Sequence, residues 1–375
     1  KSKPNAFGAA RITVRVTDNG SSASPSVNSV SQAFVFTVKA VNDPPVFLSN
    51  PVRIAAINEM YEYVIEIDDL ENKALPFSSV EKPAWATLTN SGDGKARLAG
   101  VPPASATGSS PVKIVVTDGE LIVEQQFVLI VNTRPVVKDF SIRIDEDAVY
   151  SFQNEFSQAY SDADNHAMRS VLVTKLPTFG TLSVFARAVK VSDTLTTSDI
   201  SALTYKPNLN YEGPDTFQWK GYDGYHHSSA PSVVNITIRP INDPPAIVME
   251  TDTLKYEVNG EPAFITTLFA IKDPDDDSLE RAEIIFRARN FNPEYDQLSF
   301  QNTQHVKGFY DFEAGKLSFQ GKAPLSEYAQ AIRSIAYNHL NTLDPDLKMK
   351  SIYVTVHDGE ASSEEKDRLI MLQYT

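Results

Sequence analysis

Short runs along the whole chain alternate apolar and polar residues at period two, and turn residues close each run. Arg11-Ile12-Thr13-Val14-Arg15-Val16-Thr17-Asp18 and Ala33-Phe34-Val35-Phe36-Thr37-Val38 are the first two, separated by Asp18-Asn19-Gly20 and a Ser-rich stretch over 21–32. The pattern predicts half-buried strands joined by a long hairpin loop. Two strands cannot enclose a core, so upstream sequence supplies the others or the pair packs on its neighbour. Val112-Lys113-Ile114-Val115-Val116-Thr117-Asp118-Gly119 and Gln126-Phe127-Val128-Leu129-Ile130-Val131 repeat the arrangement. Phe217-Gln218-Trp219-Lys220-Gly221-Tyr222-Asp223-Gly224 with Val233-Val234-Asn235-Ile236-Thr237-Ile238 does so again. Ile352-Tyr353-Val354-Thr355-Val356-His357-Asp358-Gly359 with Arg368-Leu369-Ile370-Met371-Leu372 is the last copy. Each Asp-Gly supplies the positive φ that a tight hairpin needs.

One segment breaks the strand rhythm. Leu325, Tyr328, Ala329, Ile332 and Ile335 form a stripe at helical spacing, with Ser326 in position to cap it, and predict a short helix. Residues 194–203 are expected to hold a shorter equivalent. Trp85 is expected to bury its indole between two sheets.

A phrase recurs where one group of strands ends and the next begins: Val41-Asn42-Asp43-Pro44-Pro45 and Ile241-Asn242-Asp243-Pro244-Pro245, with Val131-Asn132-Thr133-Arg134-Pro135 between them. The spacings of 90 and 110 residues from Asn42 to Asn132 and from Asn132 to Asn242 match a β-sandwich of about 100 residues. A repeated seam means a repeated module. The fold class expected is all-β, with tandem sandwiches in an extended array. The modules are the C-terminal strands of a truncated domain over 1–43, then sandwiches over 44–134, 135–243 and 244–375. Prolines stiffen each seam, and its Asn-Asp pair can hold a metal ion.

Composition narrows the chemistry. A formal net charge of −14 disfavours a nucleic-acid groove, which needs Lys and Arg for phosphates. The absence of cysteine excludes disulfides, thiolate zinc sites and cysteine catalysis, and leans toward a bacterial surface protein over an animal ectodomain. No apolar run approaches the roughly 20 residues of a membrane span. The chain opens within what reads as the tail of a domain, so it is expected to be part of a longer exported protein. The six histidines show no metalloprotease spacing, and no nucleophile elbow or phosphate-binding loop is present. The expectation is a protein that is not an enzyme.

The order of these motifs resembles cadherin-like tandem repeats. Residues 46–134, with Pro83-Ala84-Trp85 and Leu98-Ala99-Gly100-Val101-Pro102, resemble the dystroglycan type. Residues 136–241, with Leu203-Thr204-Tyr205-Lys206-Pro207 and Gly213-Pro214-Asp215-Thr216-Phe217, are similar to repeats of large bacterial surface adhesins. Residues 246–375 resemble the chondroitin-sulfate-proteoglycan type. The resemblance implies Ca²⁺ at the seams. For the third it implies Asp145, Glu146 and Asp147 near the first strand, and Asn242 and Asp243 in the linker. An acidic loop over 273–277 (Asp273, Asp275, Asp277) and Asp358 complete that set. For the first seam it implies Asn42, Asp43, Asp68, Asp69 and Asp118, with Glu71 and Asn72 adjacent, although Asp68-Asp69-Leu70-Glu71 departs from Asp-x-Asp. For the second it implies Asp162, Asp164 and Asp223. There Thr133 and Arg134 replace Asp and Pro, Asn58 and Glu59 stand upstream, and Arg134 is expected to pair with these carboxylates in place of metal, so that the joint binds Ca²⁺ weakly or not at all.

Two readings of the acidic loops stand side by side: solvated turns, which Asp and Asn favour for local hydrogen-bonding reasons, or ligands for a cation that relieves their repulsion. The functional expectation is a non-catalytic stalk and adhesion segment at the cell surface, with calcium-stiffened joints and a surface glycan or protein receptor as partner. The alternatives are a carbohydrate-binding module and an accessory region of a secreted polysaccharide-degrading enzyme. The segment 286–315 is the first place to look for a ligand.

Overall fold

The computed structural model describes residues 3–20, 28–71, 75–288, 290–341 and 348–374. The first part of the Ser-rich loop (21–27) and Asn72 lie outside the described residues. The chain divides into two units. The first comprises Lys1–Ile142, Ser151–Tyr205 and Thr216–Asn235; the second comprises Arg143–Tyr150, Lys206–Asp215 and Ile236–Thr375. Both are built from strands, and the fold is all-β with tandem sandwiches, as the alternation predicts.

In the first unit, Gly8–Thr17 pairs antiparallel with Ser29–Val38, placing Ile12 opposite Phe34. Every residue of the leading strand is exposed, and so are the adjacent residues Phe34, Val35 and Phe36 of its partner. This hairpin carries apolar side chains on both faces and buries neither.

Residues 46–134 fold as a sandwich of two four-stranded sheets. One orders Ile54–Ala56, Ile122–Asn132, Gly108–Thr117 and Phe77–Glu81; the other orders Val46–Phe47, Tyr61–Asp68, Lys95–Gly100 and Thr87–Gly92. The period-two pattern turns Tyr61, Tyr63, Ile65 and Ile67 inward against Val112, Ile114, Val116, Leu129 and Val131. Burying each such side chain contributes about 1.5–3 kcal/mol. Trp85 does not lie fully between the sheets: it is half-buried and meets Tyr61 edge-on at 5.8 Å. Its own carbonyl sits where a Cβ on Gly100 would project, at 2.2 Å, so this backbone rides against the neighbouring strand and the indole is left at the rim.

The fully buried indole is that of Trp219, which meets Phe156 at 5.0 Å and Phe140 at 6.2 Å, both edge-on. Phe156 comes from the helix Glu155–Gln158, whose four residues are too few for a helical period to show. The helix expected within 194–203 is present as Thr197–Ser201. A capping box between Thr196 and Asp199 starts it.

The second unit contains a six-stranded sheet, in the order Leu254–Glu257, Lys366–Gln373, Lys350–His357, Ser278–Phe286, Lys316–Pro324 and Lys307–Asp311. It also contains a three-stranded sheet of Ala263–Phe264, Ala336–His339 and Asp296–Ser299. Leu254–Glu257 runs parallel to the last strand, as Ile54–Ala56 does in the 46–134 sandwich, so the two modules close the same way. The predicted helix is Leu325–Arg333, and it buries Tyr328, Ala329, Ala331 and Ile332. Ser326 does not cap it. The preceding strand runs straight into the helix, Pro324 occupies the cap position without a side-chain bond, and the free Leu325 amide donates to Asp277 O at 3.1 Å. Inside this core, Asp296 accepts from Tyr337 Oη at 2.6 Å and lies 3.0 Å from His339 Nδ1 and 3.2 Å from Lys350 Nζ. This buried network links Asp296 on the small sheet to Lys350 on the large one.

Candidate metal centre at the module seams

The Asp-Gly hairpin turns are built alike. Asp118 Oδ1 accepts from the amides of Glu120 and Leu121, Asp223 Oδ1 from those of Tyr225 and His226, and Asp358 Oδ1 from those of Glu360 and Ala361. Local turn chemistry uses one carboxylate oxygen and leaves Oδ2 free to face the linker. There the linker asparagine donates to it: Asn42 to Asp118 at 2.8 Å, Asn132 to Asp223 at 2.7 Å and Asn242 to Asp358 at 3.1 Å.

A second contact also repeats. The residue after the asparagine gives its backbone amide to the acidic loop: Asp43 to Glu71 at 3.3 Å, Thr133 to Asp164 at 2.5 Å and Asp243 to Asp275 at 2.5 Å. In each loop the residue two places earlier accepts that acid's own amide, namely Asp69 from Glu71, Asp162 from Asp164 and Asp273 from Asp275. The degraded second seam therefore has the same frame as the other two, because Thr133 enters through a backbone N–H that any residue but proline can supply. In the first seam the structural counterpart of Asp-x-Asp is Asp69-Leu70-Glu71. Asp69 is buried and Asp68, one residue earlier on the strand, points to the opposite, exposed face.

The third seam lies wholly within the second unit. Oxygen atoms of Asp273, Asp276 and Asp358 come within 4.8 Å of one another. Asp273 Oδ1 holds the turn through the amides of Asp275 and Asp276, while its Oδ2 is buried and meets no donor. Asp277 is exposed. Glu146, 6% exposed, fastens the linker by accepting from the Ile241 amide at 2.8 Å. Asp147 accepts from the Asn210 amide, and the Asn210 side chain donates to Asp243 at 2.7 Å. Asp145 pairs with Arg239 at 2.6 Å, away from the three converging carboxylates. Asp147, Asn210, Asp243, Lys272 and Asp273 line an open cleft of about 610 Å³ beside them.

The electrostatics of this cluster are unbalanced. Burial, and then the carboxylates of Asp275, Asp147 and Asp273, raise the Asp243 pKa. Burial, Asp273 and Asp358 raise that of Asp276 against a small opposing pull from Lys322. Burial alone would raise Asp358 too, but the Ala361 amide, the Asn242 side chain and the Glu360 amide hold it below the usual range. A carboxylate whose neighbours push its pKa up is a carboxylate short of positive charge.

At the second seam, within the first unit, Asp162, His166 and Asp223 gather ligand atoms within 4.8 Å. Arg134 forms a two-pronged pair with Glu59, at 2.5 and 2.8 Å, and donates to His227 O. Its hydrogen bonds thus go to Glu59 among the carboxylates expected to attract it. At the first seam, hydrogen bonds from the Leu121 amide, the Asn42 side chain and the Glu120 amide lower the Asp118 pKa. Among the described residues no third carboxylate joins Asp69 or Asp118 within the same reach.

Sequence reasoning named Glu71 only as adjacent to the first set and held Asp276 only within the loop over 273–277, and it did not assign Asn210 or His166. The two-residue step from Asp69 to Glu71 was a readable signal. His166 lies four residues from Asp162, a spacing with no metalloprotease signature.

No family model matches the chain, and no curated protein matches it. Among solved structures, an endo-fucoidan hydrolase of glycoside hydrolase family 107 aligns at 14% identity over 89% of this chain and 45% of its own, with a TM-score of 0.30. An I-band fragment of titin aligns at 10% identity over 89% and 100%, with a TM-score of 0.31. Drosophila N-cadherin aligns at 11% identity over 100% and 85%, with a TM-score of 0.28. The chain spans less than half the length of the hydrolase. Likeness this distant carries no argument about what this chain does.

Proposed function

We propose that the chain is a non-catalytic stalk and adhesion segment of an exported cell-surface protein, and that Ca²⁺ stiffens its third module seam. The observation that carries the reading is the third seam, where Asp273, Asp276 and Asp358 converge while the Asp243 amide is held on Asp275. The donor set fits the ion. It is all hard oxygen, which suits Ca²⁺ over Zn²⁺, and it includes a buried carboxylate oxygen with no donor, Asp273 Oδ2. Asp273, Asp276 and Asp358 would hold the ion, with Asp275 and Asn242 fixing loop and linker around it. The ion would supply positive charge that draws linker, acidic loop and hairpin turn together. Extracellular modules of this kind bind Ca²⁺ at about 10⁻⁴–10⁻³ M, so the site fills outside cells. The modules are read as 1–43, 44–134, 135–243 and 244–375.

Calorimetric titration of Ca²⁺ into the unmutated chain and into Asp275→Ala tests this. The substitution should weaken binding at least tenfold, whereas equal isotherms would remove the third seam from the reading. Small-angle scattering with and without chelator tests the stiffening, which identical profiles would refute.

A second reading, carbohydrate binding, is favoured by Phe309 and Phe312, which are 72% and 54% exposed within the segment 286–315. Exposed rings of this kind stack on sugars. Loss of glycan-array binding in Phe309→Ala would support it.

A further inference from the structure

We propose that the second seam is a mixed nitrogen–oxygen site for a transition-metal dication such as Zn²⁺, with Asp162, Asp223 and His166 as its protein ligands. The three offer ligand atoms within 4.8 Å of one another, and buried polar atoms there lack partners. The Asp162 side chain is 1% exposed. Its Oδ1 accepts from the amides of Asp164 and His166, but its Oδ2 is buried and has no donor. His166 Nδ1 is likewise buried without a hydrogen-bond partner, as is Oδ1 of the fully buried Asn132. A buried acceptor left unpaired costs about 1–3 kcal/mol, and a cation between Asp162 and His166 would satisfy both of their unpaired atoms.

His166 Nδ1 and Asp162 Oδ1 are 3.6 Å apart, too far for a hydrogen bond, so the turn-holding oxygen does not occupy the ring nitrogen. Charge agrees as well: two carboxylates and a neutral imidazole balance one dication. The imidazole selects the class of ion, because nitrogen donors suit Zn²⁺ and its neighbours whereas Ca²⁺ prefers oxygen. The third seam has no histidine among its three converging groups, so the two seams are built for different ions.

The surroundings support the assignment. Arg134 is engaged by Glu59 and His227 O. The Asn132 amide holds Asp223 Oδ2 at 2.7 Å, and Thr133 holds Asp164 through both its amide and its hydroxyl, so the frame is rigid before any ion arrives. An open cleft of about 540 Å³, lined by His166, Arg169, Asp223 and Tyr225 among others, leads to the site. It gives an ion a way in and leaves room for a water as fourth ligand.

The experiment titrates Co²⁺ into chelator-dialysed protein and follows its visible absorption, then displaces it with Zn²⁺ and, separately, with Ca²⁺. The expected result is one equivalent of Co²⁺ in a strongly absorbing, nitrogen-containing environment, displaced by Zn²⁺ at micromolar and not by Ca²⁺ at millimolar concentration. His166→Gln and Asp162→Asn should each weaken Co²⁺ binding at least tenfold; Asn keeps the turn-holding acceptor, so the second variant retains the loop. Asp273→Asn, at the third seam, should leave the Co²⁺ signal unchanged. Unaltered Co²⁺ affinity in His166→Gln with an unchanged melting curve would overturn the proposal, as would displacement by millimolar Ca²⁺. Neither result bears on Ca²⁺ at the third seam, and failure of Ca²⁺ binding there would leave this site standing.

Discussion

Asp273→Asn separates the cation reading of the third seam from the solvated-turn reading. Asparagine keeps the Oδ1 acceptor that receives the amides of Asp275 and Asp276, so the turn survives, and only the charge and the unpartnered Oδ2 are lost. At about 10 mM Ca²⁺ a site with a dissociation constant of 10⁻⁴–10⁻³ M stabilises the folded protein by about 1.4–2.7 kcal/mol. For the second unit, roughly 160 residues long, that corresponds to a Tm rise of about 3–10 °C. Without Ca²⁺ the sign reverses. Two carboxylates within 4.8 Å of each other repel by about 3.5 kcal/mol at an effective dielectric near 20, and by about 1 kcal/mol once solvent screening is allowed for. The variant should therefore melt at or above the unmutated protein in chelator and below it in Ca²⁺. Differential scanning calorimetry in both buffers gives the four temperatures needed. An unmutated protein whose second transition ignores Ca²⁺, or a variant destabilised in chelator, would refute the reasoning.

Further outcomes follow from the same structure. Asn132→Ala removes the donor to Asp223 Oδ2 and should destabilise the first unit by about 1–3 kcal/mol in denaturant melts. Asp296→Ala removes the carboxylate beside the buried Lys350, which keeps its bond to Asn290 O, and should cost about 3–5 kcal/mol, read as a fall in the urea midpoint. Burial works to raise the Glu250 pKa, but the Thr266 hydroxyl and the amide and hydroxyl of Thr267 outweigh it and hold it at about 2. A lowered folded pKa gives stability that is complete above the ordinary value and fades as pH falls, so the deficit of Glu250→Gln, at most about 3 kcal/mol, should shrink between about pH 5 and pH 2. The raised pKa values of Asp243 and Asp276 act in the opposite sense. In chelator their contribution is present at low pH and lost as pH rises through the folded values, so Asp276→Asn should gain stability relative to the unmutated protein on going from about pH 4 to pH 7.

Much of this was readable from the residues. Period-two alternation found the paired strands, the helical stripe found Leu325–Arg333, and Asp-Gly marked the turns that present Asp118, Asp223 and Asp358. Legibility failed where tertiary contacts decide. Trp85 stands between Ala84 and Ala86 and Trp219 between Gln218 and Lys220, yet only Trp219 is fully buried, because the Trp85 backbone presses on Gly100. Ser326 had the chemistry of a cap, but the strand entering at Pro324 set the helix start. The Thr133-Arg134 substitution hid the shared frame of the seam, because the contact to Asp164 uses a main-chain amide rather than a side chain. Asp68 and Asp69 looked equivalent until the pleat of the strand sent them to opposite faces.

The asparagine latches span 76, 91 and 116 residues of chain. Each joins the start of a module to its final hairpin, so the aspartate that receives the asparagine is not in place until the intervening strands have assembled. Any ion taken up beside such a latch would act as a seal applied after completion: a nascent or truncated module lacking its last turn offers half a cradle, and its affinity collapses with it. Metal uptake thus becomes a report on whether the module was finished.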